Sequence, residues 1–220
     1  MAPDRLPRPL ILMVAFVALS AAACSSDPDR ERLERTTRAT YDSASGRLQR
    51  ITYDSNKNGK VDTVTHLDGT RLLRTEIDAD EDGRVERWEY YDASGRLEKY
   101  GMSRANDGTP DSWAFAAPDG TVVRLEISLK RNGRTDRWEH YEDGWVARAE
   151  EDASGDGRPD KWELYQDGAL VAVSLDNDAD GRPDRKLTYT AEGQLSLIES
   201  DPDDAGVFRT RLDVRAQAGR

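Results

Sequence analysis

The sequence predicts an all-β protein, a repetitive antiparallel meander of about seven β-hairpin units that forms a curled, solenoid-like sheet. Glycines in polar loops recur every 24 or 25 residues, an apolar residue lies eleven positions before each, and an Xaa-Gly turn separates consecutive loops. The loop glycines are Gly59, Gly83, Gly108, Gly133, Gly157, Gly181 and Gly206. A closed barrel or a two-layer sheet is the alternative, because open sheets this wide usually coil or close.

The first 23 residues have the layout of an export signal, with Arg5 and Arg8 before the apolar run 10–19 and small residues before Cys24. This run is too short to span a bilayer. The segment resembles a bacterial lipoprotein signal with its lipobox, which implies cleavage before Cys24 and lipidation of that cysteine. The resemblance further implies a lipid-anchored protein of the bacterial cell envelope, at the outer membrane and facing the periplasm or the cell surface. An ordinary signal peptide or an uncleaved anchor is the alternative.

The rest of the chain is predicted to divide into three segments. Residues 24–40 comprise the cysteine and a charged tether, since Leu33 is the one large apolar residue after Cys24. Residues 41–214 form the repeat domain, and residues 215–220 form a tail. Each unit is expected to contain a turn, an incoming strand, a polar loop and an outgoing strand.

The composition limits the partners that the chain can bind. Removing residues 1–23 takes two arginines and one aspartate from 32 basic and 43 acidic residues, which leaves a formal charge of −12. Nucleic acid is therefore excluded as a partner, and cations or a basic surface are favoured. A single cysteine also excludes an intrachain disulfide and any metal site built from several cysteines.

The polar loops place oxygen-bearing side chains at alternate positions, a spacing that lets a short, sharply turned segment aim several hard oxygens at one centre. In the loop that begins at Asp78 these side chains occupy positions 1, 3, 5, 9 and 12, and Gly83 stands at position 6. The twelve residues resemble an EF-hand loop, although the flanking residues predict strands. The loops with Pro159 and Pro183 at position 8 are more similar to thrombospondin type 3 repeats. Both resemblances imply calcium, and the alternative is that these residues only form turns.

Four loops are predicted to bind calcium. Their candidate ligands are Asp54, Asn56, Asn58 and Asp62; Asp78, Asp80, Asp82, Glu86 and Glu89; Asp152, Ser154, Asp156, Asp160 and Glu163; and Asp176, Asp178, Asp180 and Asp184. The other three loops are predicted to be metal-free, because Ala105, Lys130 and the pair Ala205 and Arg209 occupy ligand positions.

Alternation within the strands predicts one face rich in aromatic residues and one charged face. Tryptophans recur at loop position 11, as Trp88, Trp113, Trp138 and Trp162. We assign them to the face that carries the apolar residues of the incoming strands, and the Arg and Glu residues of those strands to the opposite face. The tryptophans are expected to form core or self-association surface, with a sugar-binding platform as the alternative.

The sequence favours a non-catalytic structural or binding module that takes calcium, a membrane anchor at Cys24 and a protein or glycan partner. His66 and His140 are isolated from other catalytic residue types, and no nucleophile elbow or phosphate loop is present. A carbohydrate-binding or adhesive surface protein is the alternative. A hydrolase with an acidic pair is a remote one.

Overall fold

A computed structural model describes residues 36–214. The signal peptide, Cys24, most of the tether and the tail lie outside these residues. The strands are β1 (Thr37–Tyr41), β2 (Leu48–Tyr53), β3 (Thr63–Asp68), β4 (Arg71–Ile77), β5 (Arg87–Tyr91), β6 (Leu97–Met102), β7 (Ser112–Ala116), β8 (Val122–Ile127), β9 (Arg137–Glu142), β10 (Trp145–Glu151), β11 (Lys161–Gln166), β12 (Ala169–Leu175), β13 (Arg185–Tyr189), β14 (Leu195–Pro202) and β15 (Phe208–Asp213).

All fifteen strands belong to one antiparallel sheet in which every strand pairs with its neighbours along the chain. The predicted meander is therefore confirmed, and the sheet is not closed into a barrel. The two-layer alternative is likewise not found among the described residues, which form one sheet. None of these residues belongs to a helix long and apolar enough to cross a membrane.

The sheet begins earlier than predicted, because β1 takes up residues 37–40 of the segment assigned to the tether. Its backbone pairs with β2, with Ala39 opposite Ile51. An edge strand gains its ladder of backbone hydrogen bonds whatever its side chains are. The largely exposed side chains of β1 therefore gave no apolar signal in the sequence.

The two ends of the strands differ in their connections. The polar loops follow the even-numbered strands and lie along one end, here called the loop edge. Short Gly-containing turns follow the odd-numbered strands and lie along the other end, the turn edge. At Asp143 and Gly144 both φ angles are positive, at 51° and 81°, as a type I′ turn requires. This turn matches the right-handed twist of the strands that it joins.

The predicted assignment of residues to the two faces is wrong in one respect. Trp138 lies directly opposite Glu126 and Glu150, so the tryptophans share a face with the Arg and Glu ladder. The cause of this difference is the pairing register between the two strands that each loop joins. Ile127 pairs with Arg137 at position 10, which places the residue before Ile127 opposite position 11. Alternation in the sequence fixes the faces within one strand but not this pairing.

The face that carries the tryptophans and this ladder is here called the Trp face. The opposite face, here called the Glu face after Glu89, Glu139 and Glu163, holds the small apolar core. Tyr100, Ala114 and Leu125 form a buried cluster, and Leu97, Met102, Val122, Ile127 and Tyr141 pack against it. On the Trp face all of the position-11 tryptophans are half-buried. Trp113 lies so close to Gly101 that a Cβ atom there would come within 2.8 Å of its ring, which explains the glycine in the middle of β6.

A network of charged groups extends the Glu face beyond this core. Arg137 donates hydrogen bonds to Glu139, Glu151 and Glu163, at 2.7, 3.2 and 2.8 Å, and thereby joins β9, β10 and β11. Its side chain is 14% exposed, and that of Glu163 is 9% exposed. Removing one partner of such a network leaves the others buried and incompletely paired, which is strongly destabilising.

Glu163 is the carboxylate most strongly held in its charged form. Burial by itself would raise its pKa, but hydrogen bonds from Lys161, Arg137 and Tyr165 lower the pKa to about 2, from an ordinary value of 4.5. A group whose pKa is lower in the folded state stabilises the fold above its unfolded pKa. This stabilisation is lost as the pH falls from about 4.5 towards 2.

We predict that Glu163→Gln makes the melting temperature less dependent on pH in this acid range. The variant should be less stable than the wild type at neutral pH, and the difference should narrow as the pH falls, because protonation removes the same charge from the wild type. Thermal melts at several pH values measure both slopes. Glu98→Gln, at an exposed position on β6, should retain the wild-type slope. Plots of melting temperature against pH that run parallel for Glu163→Gln and the wild type would contradict the prediction.

Candidate metal centre

Six nine-residue loops on the loop edge share one backbone conformation. They are L1 (54–62), L2 (78–86), L3 (103–111), L4 (128–136), L5 (152–160) and L6 (176–184). The N–H of position 9 donates to the carbonyl of the residue before the loop, as from Asp160 to Glu151 at 2.9 Å. The N–H of position 1 donates to the position-9 carbonyl of the preceding loop, as from Asp176 to Asp160 at 2.8 Å. Consecutive loops are therefore fixed side by side.

The position-1 side chain organises the turn inside each loop, through a carboxylate in L1, L2, L5 and L6 and through a serine hydroxyl in L3 and L4. In L5, Asp152 accepts hydrogen bonds from the N–H groups of Gly155 and Gly157, at 2.6 and 2.9 Å. In L6, Asp176 accepts equivalent bonds from positions 4 and 6. Position 6 is glycine in every loop, and its φ of 78° to 97° explains why.

The position-9 carboxylate closes the loop by accepting from the N–H of position 2. This bond is 2.6 Å long from Ser55 to Asp62 in L1 and from Ala79 to Glu86 in L2. Asp62 is 5% exposed. Positions 1 and 9 therefore shape the loop through backbone hydrogen bonds, which supports the turn-forming role. Metal ligation would be a further role of the same oxygens.

L2 brings four carboxylates together. Asp78, Asp80, Asp82 and Glu86 each offer an oxygen within 4.8 Å of the others. Asp78 Oδ1 and Glu86 Oε1 are buried atoms without a hydrogen-bond partner. Burial raises the pKa of Glu86, and the neighbouring Asp80 carboxylate raises that pKa further. The cluster therefore concentrates negative charge around two carboxylate oxygens that have no partner, and it could hold a metal ion.

L6 forms the second such group in the part of the chain that the structure describes, with Asp176, Asp178 and Asp184. The N–H of Asp180 lowers the pKa of Asp178, but desolvation and the charges of Asp184, Asp180 and Asp176 raise it overall. The carboxylate of Asp180 lies outside the group and accepts a hydrogen bond from the N–H of Arg182 at 2.8 Å.

L1 and L5 have fewer carboxylates at the predicted positions. In L1, Asn56 and Asn58 stand between Asp54 and Asp62, and in L5 Ser154 stands between Asp152 and Asp156, with Asp160 at position 9. Neither loop forms a group of three carboxylates within 4.8 Å. L5 also receives a cation from its neighbour, because Lys130 Nζ of L4 donates to the carbonyls of Asp152 and Ala153, at 3.3 and 3.0 Å.

The position-12 residues do not join their loops, and in this respect the predicted ligand sets need correction. Glu89 lies within β5, where its oxygens pair with Arg87 at 2.7 Å and accept from the Tyr91 hydroxyl at 2.6 Å. Glu163 lies in the network of Arg137 and Lys161. In an EF-hand the loop leads into a helix, whereas here it leads into a strand that carries position 12 onto the Glu face.

The three loops predicted to be metal-free differ in structure. In L3, Arg104 Nε donates to Asp111 at 2.9 Å, so an internal cation pairs with the position-9 carboxylate. L4 keeps the loop conformation with Lys130 at position 3. The seventh segment, 201–209, instead forms a short turn in which the N–H of Gly206 donates to the carbonyl of Asp203 at 2.8 Å.

Sequence reasoning missed the contacts between neighbouring loops. Glu81, at position 4 of L2, accepts hydrogen bonds from the side-chain amides of Asn56 and Asn58 in L1. Its side chain is 8% exposed. Position 4 is not a ligand position in the EF-hand pattern, so the template gives it no role. The only available signal was the constant spacing of the loops, which places equivalent positions side by side.

Comparison with known proteins identifies no relative in sequence. No family model matches the chain, and no curated protein matches it. Among solved structures, TarM has a TM-score of 0.36 and 13% identity over 48% of this chain and 22% of its own. The GtfA/B complex bound to UDP and GlcNAc has a TM-score of 0.37 and 15% identity over 49% and 22%. A porin-like protein from Bacteroides uniformis has a TM-score of 0.26 and 12% identity over 79% and 86%.

These similarities are too low to carry an inference about function. The chain spans about a fifth of the length of the first two of these proteins.

Proposed function

We propose that this chain is a lipid-anchored protein of the bacterial cell envelope, a non-catalytic structural or binding module that binds calcium along its loop edge. The observation that carries the calcium proposal is the convergence of Asp78, Asp80, Asp82 and Glu86 within 4.8 Å. Carboxylates at this separation repel one another, and solvent screens the repulsion only in part. A hard divalent cation with oxygen ligands relieves it.

The residues of L2 and L6 fit calcium better than other metals. Their donors are oxygens, without the nitrogen or sulfur ligands that zinc and copper prefer. In L2 the four carboxylates come from positions 1, 3, 5 and 9, and in L6 three come from positions 1, 3 and 9. L1 and L5 are proposed as weaker sites, because amide and hydroxyl oxygens replace carboxylates there. Affinities in the millimolar to submillimolar range are expected for modules outside the cytoplasm.

Calcium should stabilise the fold by mass action. An ion that binds only the folded state contributes about 2.7 kcal/mol per site at a hundredfold excess over its dissociation constant. We predict that calcium raises the melting temperature, that a chelator lowers it, and that Asp80→Asn reduces both effects. Calorimetric titration measures the number of sites.

The matched control is Asp119→Asn on the turn edge, which removes the same charge from an aspartate whose carboxylate bonds only locally, to Thr121. It should leave the calcium response unchanged. Calorimetry without a binding signal at about 10 mM calcium, well above the expected affinity range, would refute the proposal. Equal losses from Asp80→Asn and Asp119→Asn would show a general charge effect instead of a site.

The anchor is proposed from the sequence around Cys24. A single acyl chain gives only reversible membrane binding, so stable anchoring needs more than one chain or an additional contact. We predict that Cys24→Ala releases the protein from the membrane fraction. Mass spectrometry should detect acyl groups on an amino-terminal Cys24 in the wild type. An unmodified chain that still begins at Met1 would contradict the proposal.

A second candidate function is glycan binding on the Trp face. It is favoured by the exposure of this face, since no second layer of the described residues covers it and Leu164, two residues after Trp162, is 54% exposed. The position-11 tryptophans lie on alternate strands, about 10 Å apart along the sheet. Aromatic rings at such intervals suit the stacking of successive sugar units.

The glycan proposal predicts that soluble N-acetylglucosamine oligomers shift the tryptophan fluorescence and protect it from acrylamide. Trp162→Ala should weaken this binding, whereas Trp145→Ala, near the turn edge and packed against Gly168, should not. Tryptophan fluorescence that does not respond to a panel of soluble oligosaccharides would reject this function and favour a purely structural role for the position-11 tryptophans.

A further inference from the structure

Position 4 of L2, L3 and L5 lies against the preceding loop along the loop edge. Glu81 of L2 lies against Asn56 and Asn58 of L1. In the same way, Asn106 of L3 donates to Asp80 and Asp82 of L2, at 2.8 and 3.3 Å. Both contacts join position 4 of one loop to positions 3 and 5 of the loop before it.

The glycine at position 4 of L5 supports the same arrangement. A Cβ atom on Gly155 would lie 3.3 Å from Lys130 Nζ, so the ammonium group of L4 occupies the space that a side chain at position 4 would take. Lys130 is itself at position 3 of the preceding loop. The lateral relation between position 4 and the preceding loop therefore holds for three pairs of neighbouring loops with different residues.

In L1 this contact fixes the orientation of two predicted ligands. Glu81 accepts from the Nδ2 atoms of Asn56 and Asn58, so both Oδ1 atoms turn towards the backbone of their own loop. There they accept hydrogen bonds from the N–H groups of Asn58 and Lys60, at 3.0 and 2.8 Å. Glu81 Oε2 also lies 3.8 Å from Lys60 Nζ at position 7 of L1, so its buried carboxylate offsets a cation of a loop that has only two carboxylates at its predicted ligand positions.

We propose that the residue at position 4 is a positioning residue for the cation ligands of the preceding loop, so that Glu81 supports calcium binding at L1 although it belongs to L2. This inference rests on the proposed function. It assigns Glu81 no direct contact with the ion, because its oxygens are directed at the amide nitrogens of L1. Neighbouring sites are thereby coupled through side chains that the loop pattern alone does not include.

The test follows each loop separately by NMR, with the full chain in detergent micelles. The N–H groups of Gly59, Gly83 and Gly181 donate to the position-1 carboxylates of L1, L2 and L6, and their signals report calcium at those loops. Glu81→Gln should raise the calcium midpoint of the Gly59 signal by about tenfold, as changes in groups that orient metal ligands typically do. The midpoint for Gly181 should not change, and that for Gly83 should change less than that for Gly59.

Two further variants separate positioning from a general effect of charge. Glu98→Gln makes the same charge change at an exposed site on β6 and should leave all midpoints unchanged. Asn106→Ala, in L3, should raise the midpoint for Gly83 in L2. The melting temperature of Glu81→Gln without calcium should remain close to that of Glu98→Gln, because the loop backbone bonds do not involve Glu81.

An unchanged Gly59 midpoint in Glu81→Gln would overturn the inference and leave the proposed function intact. An effect on Gly83 as large as that on Gly59 would also overturn it, since Glu81 would then act on its own loop. If none of the three glycine signals of the wild type responds to calcium, the proposed function itself fails, and this inference fails with it.

Discussion

The structure depends on one repeated backbone hydrogen bond, from the N–H of loop position 1 to the position-9 carbonyl of the preceding loop. It occurs between every pair of neighbouring loops from L1 to L6, at 2.8 Å in each case. The bond continues the strand ladder into the loop edge, so the loops cannot slide relative to one another. Insertions or deletions inside a loop would break this register, which explains why L1 to L6 all have nine residues although the segments between them vary by one residue.

Both faces of a single sheet must also be stabilised, and this chain has few apolar residues for that purpose. The described chain has a small buried cluster around Tyr100, Ala114 and Leu125, and it adds the charged network of Arg137 on the same face. Such a network is stable only while every member is paired. The sheet is therefore predicted to be sensitive to acid, and to be less tolerant of single charge changes on the Glu face than on its exposed edges.

The loop edge combines structural and binding roles in the same side chains. Carboxylates at positions 1 and 9 hold the backbone of the loop, and in L2 and L6 they also bring several negative charges together. The loop shape is thus formed by hydrogen bonds within the protein, and a cation would act on a site that is already organised. Preorganisation of this kind lowers the cost of ordering ligands on binding. Contacts such as that of Glu81 with L1 extend the organisation from one loop to the next.

The sequence by itself determined the repeat, the meander and the loop positions, because turn chemistry and alternation are local properties of the chain. The loop glycines predict the observed positive φ angles, and the oxygen spacing predicts the cluster at Asp78, Asp80, Asp82 and Glu86. The tertiary structure alone decided which residues lie opposite one another across a loop. That pairing placed Trp138 beside Glu126 and set Glu81 against a different loop. These relations depend on hydrogen-bond register between strands, which no pattern within one strand contains.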